Sequence, residues 1–191
     1  SGSRSYDSTV TADSSILTIT SGVSGENLSL TGSGVLGAAS AGSQTITNNN
    51  TLAIADGTGL ASNYTLTGAT INVTVVPRTL NVTLSREYDG TTSVSGSSLT
   101  PTFDSLQGGE TLALTGTGSI SNANVGSSKA ITLGTIALAA GSGNPSNYTL
   151  NSATMDVTQK VINLDGIRAY DASTDVLSSD INTFGNIVSG E

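Results

Sequence analysis

The sequence predicts an all-β fold, and three observations support this prediction. Apolar residues alternate with Thr, Ser and Asn, as at Leu80, Val82 and Leu84, which is the pattern of strands with one buried and one wet face. No segment of helical length has apolar residues at three-and-four spacing. The 23 Gly residues fall mainly between the alternating segments, where turns need a positive φ. Short strands punctuated in this way predict antiparallel β-sandwiches of immunoglobulin-like character.

The same alternation marks further strands along the chain. Each pair of apolar residues two positions apart predicts a short strand, and Gly-rich segments such as residues 116–118 and 141–143 separate the pairs. The pairs are Leu112 and Leu114, Ile131 and Leu133, Ile136 and Leu138, Tyr148 and Leu150, and Met155 and Val157.

The composition removes most side-chain chemistry. The 191 residues include 14 acidic and 6 basic ones, a net charge of −8, and no His or Cys. Ser-His-Asp triads, Cys nucleophiles and zinc sites of His or Cys are therefore excluded. The six basic residues are scattered and form no patch, which argues against nucleic-acid binding. We predict no catalytic residue, no metal site and no enzymatic activity.

Hydrophobicity indicates a folded chain outside the membrane. The apolar fraction of 36% is enough to build a core. No apolar run approaches the roughly 20 residues that a membrane span needs. We therefore expect a soluble, monomeric fragment of a longer protein, without membrane insertion.

Internal repetition is the strongest signal in the sequence. Three short anchors recur along the chain in the same order, and their spacing is nearly constant. Gly25-Glu26 recurs as Gly109-Glu110, Asn63-Tyr64 recurs as Asn147-Tyr148, and Tyr6-Asp7 recurs as Tyr88-Asp89 and Tyr170-Asp171.

The period of this repetition sets the predicted domain organisation. A period of roughly 80 residues is domain-sized, too long for a solenoid rung. The predicted repeats, in a stiff elongated array, are 1–77 (lacking its first strand), 78–159 (complete) and 160–191 (the opening part of a third).

The third predicted repeat has two interpretations. Residues 161–191 either begin an incomplete domain or contribute strands that finish the sheet of the second repeat. They end on Gly190-Glu191, the same pair that opens the second half of each earlier copy.

The complete repeat resembles a known family. Its anchors, in order, are Tyr88-Asp89-Gly90, Gly109-Glu110, Asn124-Val125-Gly126 and Asn147-Tyr148. They are similar to the YDG repeat of large filamentous-haemagglutinin-like adhesins. The resemblance implies modules in the shaft of a Gram-negative protein that is exported across the outer membrane and serves adhesion or biofilm cohesion at the cell surface. The absence of Cys fits export of an unfolded chain through an oxidising periplasm.

The Tyr-Asp motif is the strongest candidate site, and it has two interpretations. A Tyr ring beside a carboxylate suits a sugar, with stacking on the ring and hydroxyl donors to the acid. In the structural interpretation, which we favour, Tyr packs into the core, Asp caps a turn, and Gly or Ser supplies an unusual backbone angle. The Tyr of the Asn-Tyr anchors is expected in the core, like the corner tyrosine of immunoglobulin-like sandwiches. The candidate residues are Tyr6, Asp7, Tyr88, Asp89, Gly90, Tyr170, Asp171, Tyr64 and Tyr148.

Several functions stay open at this stage. The first is a stalk or spacer module, with a host or neighbouring-cell surface molecule, including glycans, bound through other parts of the full protein. The alternatives are a glycan- or protein-binding module, self-association through sparsely charged strand edges, and a calcium-rigidified repeat. Asp171 and Asp175 are the nearest approach to a calcium loop, and no other cofactor is predicted.

Overall fold

The computed structural model describes residues 1–20 and 23–190, so the final residue of the predicted repeat 160–191, Glu191, lies outside the described residues. The described chain is all-β, as predicted. The strands of the first predicted repeat are β1 (Gly2–Ser5), β2 (Thr11–Asp13), β3 (Ser29–Thr31), β4 (Ser33–Leu36), β5 (Gly42–Asn48), β6 (Ala53–Ala55) and β7 (Asn72–Val76).

The strands of the later residues follow in chain order. They are β8 (Arg78–Glu87), β9 (Ser93–Ser95), β10 (Thr102–Phe103), β11 (Leu112–Thr115), β12 (Thr117–Ile120), β13 (Gly126–Thr132), β14 (Ala137–Ala140), β15 (Tyr148–Thr158), β16 (Asn163–Gly166) and β17 (Ile181–Gly185). Single 3-10 turns lie at Ser14–Ile16, Ala61–Asn63, Gly96–Ser98, Pro145–Asn147 and Ser178–Asp180.

The first two predicted repeats have the same strand order. One sheet runs β1-β7-β5-β4-β2, and a six-stranded sheet runs β10-β8-β15-β13-β12-β9. Position by position, β8, β15, β13, β12 and β9 are the counterparts of β1, β7, β5, β4 and β2. The first repeat, which was expected to lack its first strand, therefore contains the end of that strand, because the four residues of β1 correspond to the last part of the ten-residue β8. The small sheets β3-β6 and β11-β14 also correspond. The two sequence repeats therefore share the same strand topology.

The pairing of the opening and closing strands of the first repeat differs from the antiparallel expectation. Strands β1 and β7 are parallel, in the register Gly2 with Val73 and Ser5 with Val76. Sequence alternation could not show this difference, because the period of two is the same in parallel and antiparallel strands. Strand β15 also differs in length, since the two segments predicted around Leu150 and Met155 form one continuous strand.

The chain divides into two compact units. Unit 1 comprises Ser1–Asn81, Phe103–Ala113 and Leu138–Asn151, and unit 2 comprises Val82–Thr102, Leu114–Ala137 and the chain from Ser152 onward. These units group residues that pack together in space. The repeat boundaries at 77/78 and 159/160 come from the sequence period and stay predictions.

The core of unit 1 combines side chains from two predicted repeats. Residues before 78 supply Tyr6, Ala12, Leu36, Val73 and Val75, and residues after it supply Leu80, Leu112 and Tyr148. Burial of such side chains provides about 25 cal/mol per Å² of apolar surface. The stability of unit 1 therefore depends on both repeats at once.

Unit 2 has its own set of buried apolar side chains. They are Val82, Leu84, Val94, Leu114, Ile120, Ile131, Ile136, Ala153, Met155 and Val157. The last described strands, β16 and β17, pair with each other as a separate two-stranded sheet. None of the helices in the described chain has the length and apolar character needed to span a membrane.

Equivalent positions of the second and third repeats differ in burial, and this difference predicts unequal mutational costs. Leu80 is fully buried, whereas its counterpart in the third repeat, Ile162, is 50% exposed. We expect Leu80→Ala to lower the free energy of unfolding by about 2–5 kcal/mol through loss of core contacts. Ile162→Ala should cost less than about 0.5 kcal/mol. Urea denaturation followed by far-UV circular dichroism measures both, and equal costs would contradict the burial difference.

Candidate functional site

The Tyr-Asp motif forms the same capped turn in all three repeats. The carboxylate of Asp7 accepts a hydrogen bond from the backbone N–H of Thr9 at 2.9 Å. Asp89 accepts one from the N–H of Thr91, and Asp171 from the N–H of Ser173, both also at 2.9 Å. An Asp that binds a backbone N–H two residues later makes an Asx turn. The acid of the motif therefore stabilises a turn in each copy.

The residue after the Asp explains the third position of the motif. Ser8, Gly90 and Ala172 all have left-handed backbone conformations, with φ of 64°, 74° and 62°. Gly adopts this region without strain, and small residues adopt it at a cost. The turn therefore requires a positive φ at this position, and Ser and Ala adopt it here as well as Gly.

An arginine completes the turn, and the sequence reasoning missed it. Arg86 forms an ion pair with Asp89 at 3.2 Å. Its guanidinium also donates to the backbone carbonyl of Ser93 at 2.6 Å and to that of Thr91. Such a planar group with several donors can hold a carboxylate and carbonyls together.

The other two copies repeat this arrangement. Arg4 pairs with Asp7 and donates to the carbonyl of Thr9, and Arg168 pairs with Asp171 at 3.3 Å. The basic residues looked scattered, but in each copy an arginine stands two positions before the motif tyrosine. That fixed placement was the signal that could have revealed an Arg-x-Tyr-Asp motif.

Hydrogen bonds and charge favour the ionised form of two motif carboxylates, Asp7 and Asp89. Burial opposes ionisation of Asp89, but hydrogen bonds from Thr91 and the charge of Arg86 outweigh it and lower the pKa of that carboxyl. In Asp7 the hydrogen bonds from Arg4 and Thr9 outweigh burial in the same way, and its pKa is lowered. One oxygen of each of these carboxylates thus already accepts hydrogen bonds within the turn.

The tyrosine of the first motif is buried and bonded to a carboxylate. The side chain of Tyr6 is 3% exposed, and its hydroxyl donates to Glu110 Oε1 at 2.7 Å. Tyr148 donates to the other oxygen of Glu110 at 2.5 Å. The two rings pack edge to face with centroids 5.3 Å apart, a favourable aromatic geometry. Neither ring is available to stack on a sugar.

Glu110 was not singled out for this role, although it belongs to the Gly-Glu anchor. The same pairing occurs in the first repeat, where Tyr64 donates to Glu26. The Gly-Glu and Asn-Tyr anchors therefore recur together because they are hydrogen-bonded partners, 38 residues apart in both copies. The corner-tyrosine analogy suggested a bond to backbone, and the hydroxyl of Tyr148 does accept one from the N–H of Gln107 at 3.0 Å.

The remaining candidate tyrosines differ in exposure. Tyr64 and Tyr88 are half-buried, and Tyr170 is 94% exposed. Across residues 1–20 and 23–190, no three acidic side chains converge in a way that could hold a metal ion. Asp171 is paired with Arg168, and Asp175 takes part in the same turn through its N–H, which donates to Ser173 Oγ at 3.0 Å.

The arginine geometry yields a first prediction for this site. Arg86→Ala should lower the free energy of unfolding by about 1–3 kcal/mol, because two carbonyls and a carboxylate lose their donor. Arg86→Lys should restore little of the lost stability, since a lysine ammonium cannot match the several N–H donors of the planar guanidinium. Lys129→Ala, which removes the same charge from another part of unit 2, should cost less than about 0.5 kcal/mol. Thermal and urea denaturation measure the stability of the three variants. Wild-type stability of Arg86→Lys would contradict the proposed role of the guanidinium geometry.

The buried tyrosines predict a loss of stability at alkaline pH. Burial first, and then the bond to Glu110, raise the pKa of Tyr6 from 10.0 to about 12, and burial and Glu110 also raise the pKa of Tyr148. The folded state therefore holds these protons more tightly than the unfolded state. The contribution of Tyr6 is complete below pH 10 and is lost as the pH rises toward about 12. The contribution of Tyr148 is likewise lost at alkaline pH, because its pKa is also raised.

Tyr6→Phe tests this linkage. The variant should lose about 1 kcal/mol at neutral pH through the missing hydrogen bond, and its stability should fall less steeply above pH 10 than that of the wild type. Tyr170→Phe, which alters an exposed ring, is the matched control and should change neither quantity. An unchanged alkaline slope in Tyr6→Phe would show that Tyr6 is not the linked group. Urea denaturation across the pH series supplies the measurement.

Comparison with known proteins identifies one domain in this chain. No curated protein and no solved structure matches this chain. The family model described as the YDG domain matches residues 74–155, a range that nearly coincides with the complete predicted repeat and contains its capped turn. A YDG domain is therefore found at residues 74–155 of this chain.

Proposed function

We propose that this chain is a structural stalk or spacer segment of a large secreted bacterial surface adhesin, built from tandem β-sandwich repeats that withstand tension. In this role it supports adhesion or biofilm cohesion, while receptor binding falls to other parts of the full protein. The observation that carries the proposal is the pairing of the opening strand of a repeat with its own closing strand.

The pairing has the same direction in both repeats, since in the second repeat Asn81 bonds to Asn151 and Thr83 to Thr154, so that β8 and β15 advance together. In the first, β1 lies parallel to β7, and the N–H of Tyr6 extends the ladder to the carbonyl of Val76 at 2.9 Å. In the second, the N–H of Tyr88 donates to the carbonyl of Thr158 at 2.9 Å. These two bonds occupy equivalent positions, because each joins the tyrosine of a Tyr-Asp motif to the end of the closing strand.

This geometry determines how tension acts on a repeat. The chain enters through the opening strand and leaves through the closing strand. Because the two strands are parallel, the entering end of one and the leaving end of the other lie at opposite ends of the pair. Tension along the chain therefore slides one strand past the other and loads all their hydrogen bonds together. Rupture then requires several bonds to fail at once, which raises the barrier that governs forced unfolding.

Two further features support a structural role. The polar groups of the Tyr-Asp motif bond to their own turn, and the buried tyrosines bond to Glu110. The second support is the YDG domain at residues 74–155, together with the resemblance of the repeat motifs to those of filamentous-haemagglutinin-like adhesins. A secreted or cell-surface location, reached across the outer membrane, is part of the same proposal.

Single-molecule pulling tests the proposal directly. The chain has no Cys, so pairs of introduced cysteines give unique attachment points. Ser1→Cys with Val76→Cys pulls β1 and β7 in shear. Ser5→Cys with Val76→Cys pulls the paired residues at one end of the ladder apart. We expect the shear pair to rupture at a several-fold higher force, since the second geometry breaks bonds one after another.

The two variants share Val76→Cys and differ only in the position of the second attachment, so each controls for the other. Both should have the same urea stability without load. Equal rupture forces would remove the mechanical role and leave the spacer proposal without its main support.

A further inference from the structure

The residue after the Asp of the Tyr-Asp motif differs among the three repeats, although its backbone conformation does not. It is Ser8, Gly90 and Ala172, with φ of 64°, 74° and 62°. Gly adopts this left-handed region most easily, yet Ser and Ala occupy it here. The backbone angle therefore does not decide the residue type, and the segment that faces the turn supplies a second constraint.

In unit 1 the side chain of Ser8 faces a residue that has none. Gly108 lies directly before the Gly-Glu anchor of the second repeat. A Cβ atom added to Gly108 would lie 2.9 Å from the Oγ atom of Ser8 and 3.3 Å from its Cβ atom. Both distances are shorter than the roughly 3.5–4.0 Å of ordinary carbon contacts. The turn and the loop fit together here because only the turn carries a side chain.

In unit 2 the side chain is on the other partner. Gly90 faces Val188, which lies two positions before Gly190 of the next Gly-Glu pair. A Cβ atom added to Gly90 would lie 2.7 Å from the Cγ1 atom of Val188. Because a β-branched side chain has few χ1 rotamers, this methyl group cannot easily move away. The loop carries the side chain here, and the turn has none.

The larger contacts between the first and second repeats use residues that recur in the sequence. Tyr6 donates to Glu110 and packs against Tyr148. The Tyr of the Tyr-Asp motif is present in all three repeats, and the Gly-Glu pair recurs as well. Contacts between recurring residues hold two neighbours together, but they cannot distinguish one neighbour from another. Discrimination needs a residue that varies and that clashes with the wrong partner, and the turn residue with its facing loop has this property.

We propose that the residue after the motif Asp and the loop residue that faces it form a size-complementary pair that determines which YDG-type repeats can be neighbours. A turn with a side chain, such as that of Ser8, fits a loop with glycine at the facing position. A glycine turn, such as that of Gly90, fits a loop that presents a bulky residue. Tandem repeats of similar sequence can assemble with the wrong neighbour, and a clash at this contact opposes such pairing. The proposal goes beyond the stalk function, because it concerns the order of the repeats and not what the full protein binds.

Double-mutant cycles at the two contacts test the proposal in the whole chain. Gly90→Ala should lower the melting temperature by at least about 2 °C beyond its backbone cost, the lower end expected for an overpacked contact in a chain of this size. Gly68→Ala is the matched control for the backbone cost, since Gly68 has a φ of 79° and no described atom lies within 4 Å of its added Cβ atom. Val188→Ala should remove the excess loss when it is combined with Gly90→Ala, because the Cγ1 atom that causes the clash is then absent.

The contact in unit 1 should show the reciprocal behaviour. Gly108→Ala should lower the melting temperature more than Gly109→Ala does. Both glycines are left-handed, with φ of 59° and 73°, but no described atom lies within 4 Å of the Cβ atom added to Gly109. Ser8→Gly should remove this difference, because the atoms that the new methyl group would meet are then absent. Additive effects in either cycle, or equal losses for Gly108→Ala and Gly109→Ala, would overturn the proposal.

Disulfide formation provides a second measurement that does not depend on stability. The chain has no Cys, and the Cβ atom added to Gly90 lies 3.9 Å from the Cβ atom of Val188, within the roughly 3.5–4.5 Å range of disulfides. Gly90→Cys with Val188→Cys should therefore close under mild oxidation, which intact-mass spectrometry detects as the loss of two hydrogens. Gly68→Cys with Val188→Cys should keep both thiols. Two free thiols in the first pair would show that the turn and the loop do not face each other, and would overturn the proposal.

Discussion

The carboxylate of Glu110 is the contact on which the unit 1 core depends. It accepts the hydroxyls of Tyr6 and Tyr148, and so joins the opening turn of one predicted repeat to the Gly-Glu and Asn-Tyr anchors of the next. Asn147 adds a second link of this kind, since its side chain accepts the N–H of Ala41 at 2.9 Å. Because a buried hydroxyl or amide without a partner is costly, these bonds fix the relative placement of the segments, and the apolar core forms around them.

The scarcity of charge has a structural meaning in this setting. The chain has four arginines, and three of them hold the capped turns. Each guanidinium binds a carboxylate and at least one backbone carbonyl of its own turn, which leaves few cations for an external partner. The surface is instead rich in Thr, Ser and Asn, whose hydroxyl and amide groups bond locally. Thr9 and Thr91, for example, donate to the Asp of their own turn. The proposed spacer role accordingly depends on the strands of this segment.

The strands and the repeated anchors could be predicted from the sequence, because alternation is visible within a few residues and the repeat is visible when segments of the chain are compared. It did not reach the partners of those anchors. Glu110 and Tyr148 are 38 residues apart, and nothing in a single sequence states that two anchors touch. A search for clusters of positive charge does not reveal the arginines, because their role depends on a fixed position in the sequence, three residues before the Asp. The parallel pairing of β1 with β7 and the shared core of unit 1 are long-range features, and alternation is silent about both.

The shared core has a consequence for how such a chain changes in length during evolution. Since unit 1 takes strands from one repeat and covering residues from the next, no single cut in the sequence isolates a complete building block. In-frame duplication or loss of any stretch one period long, whatever its starting point, nevertheless recreates the same junction between neighbouring copies. Unequal recombination can therefore add or remove repeats without requiring a new interface, and in the proposed stalk the number of repeats would set its length.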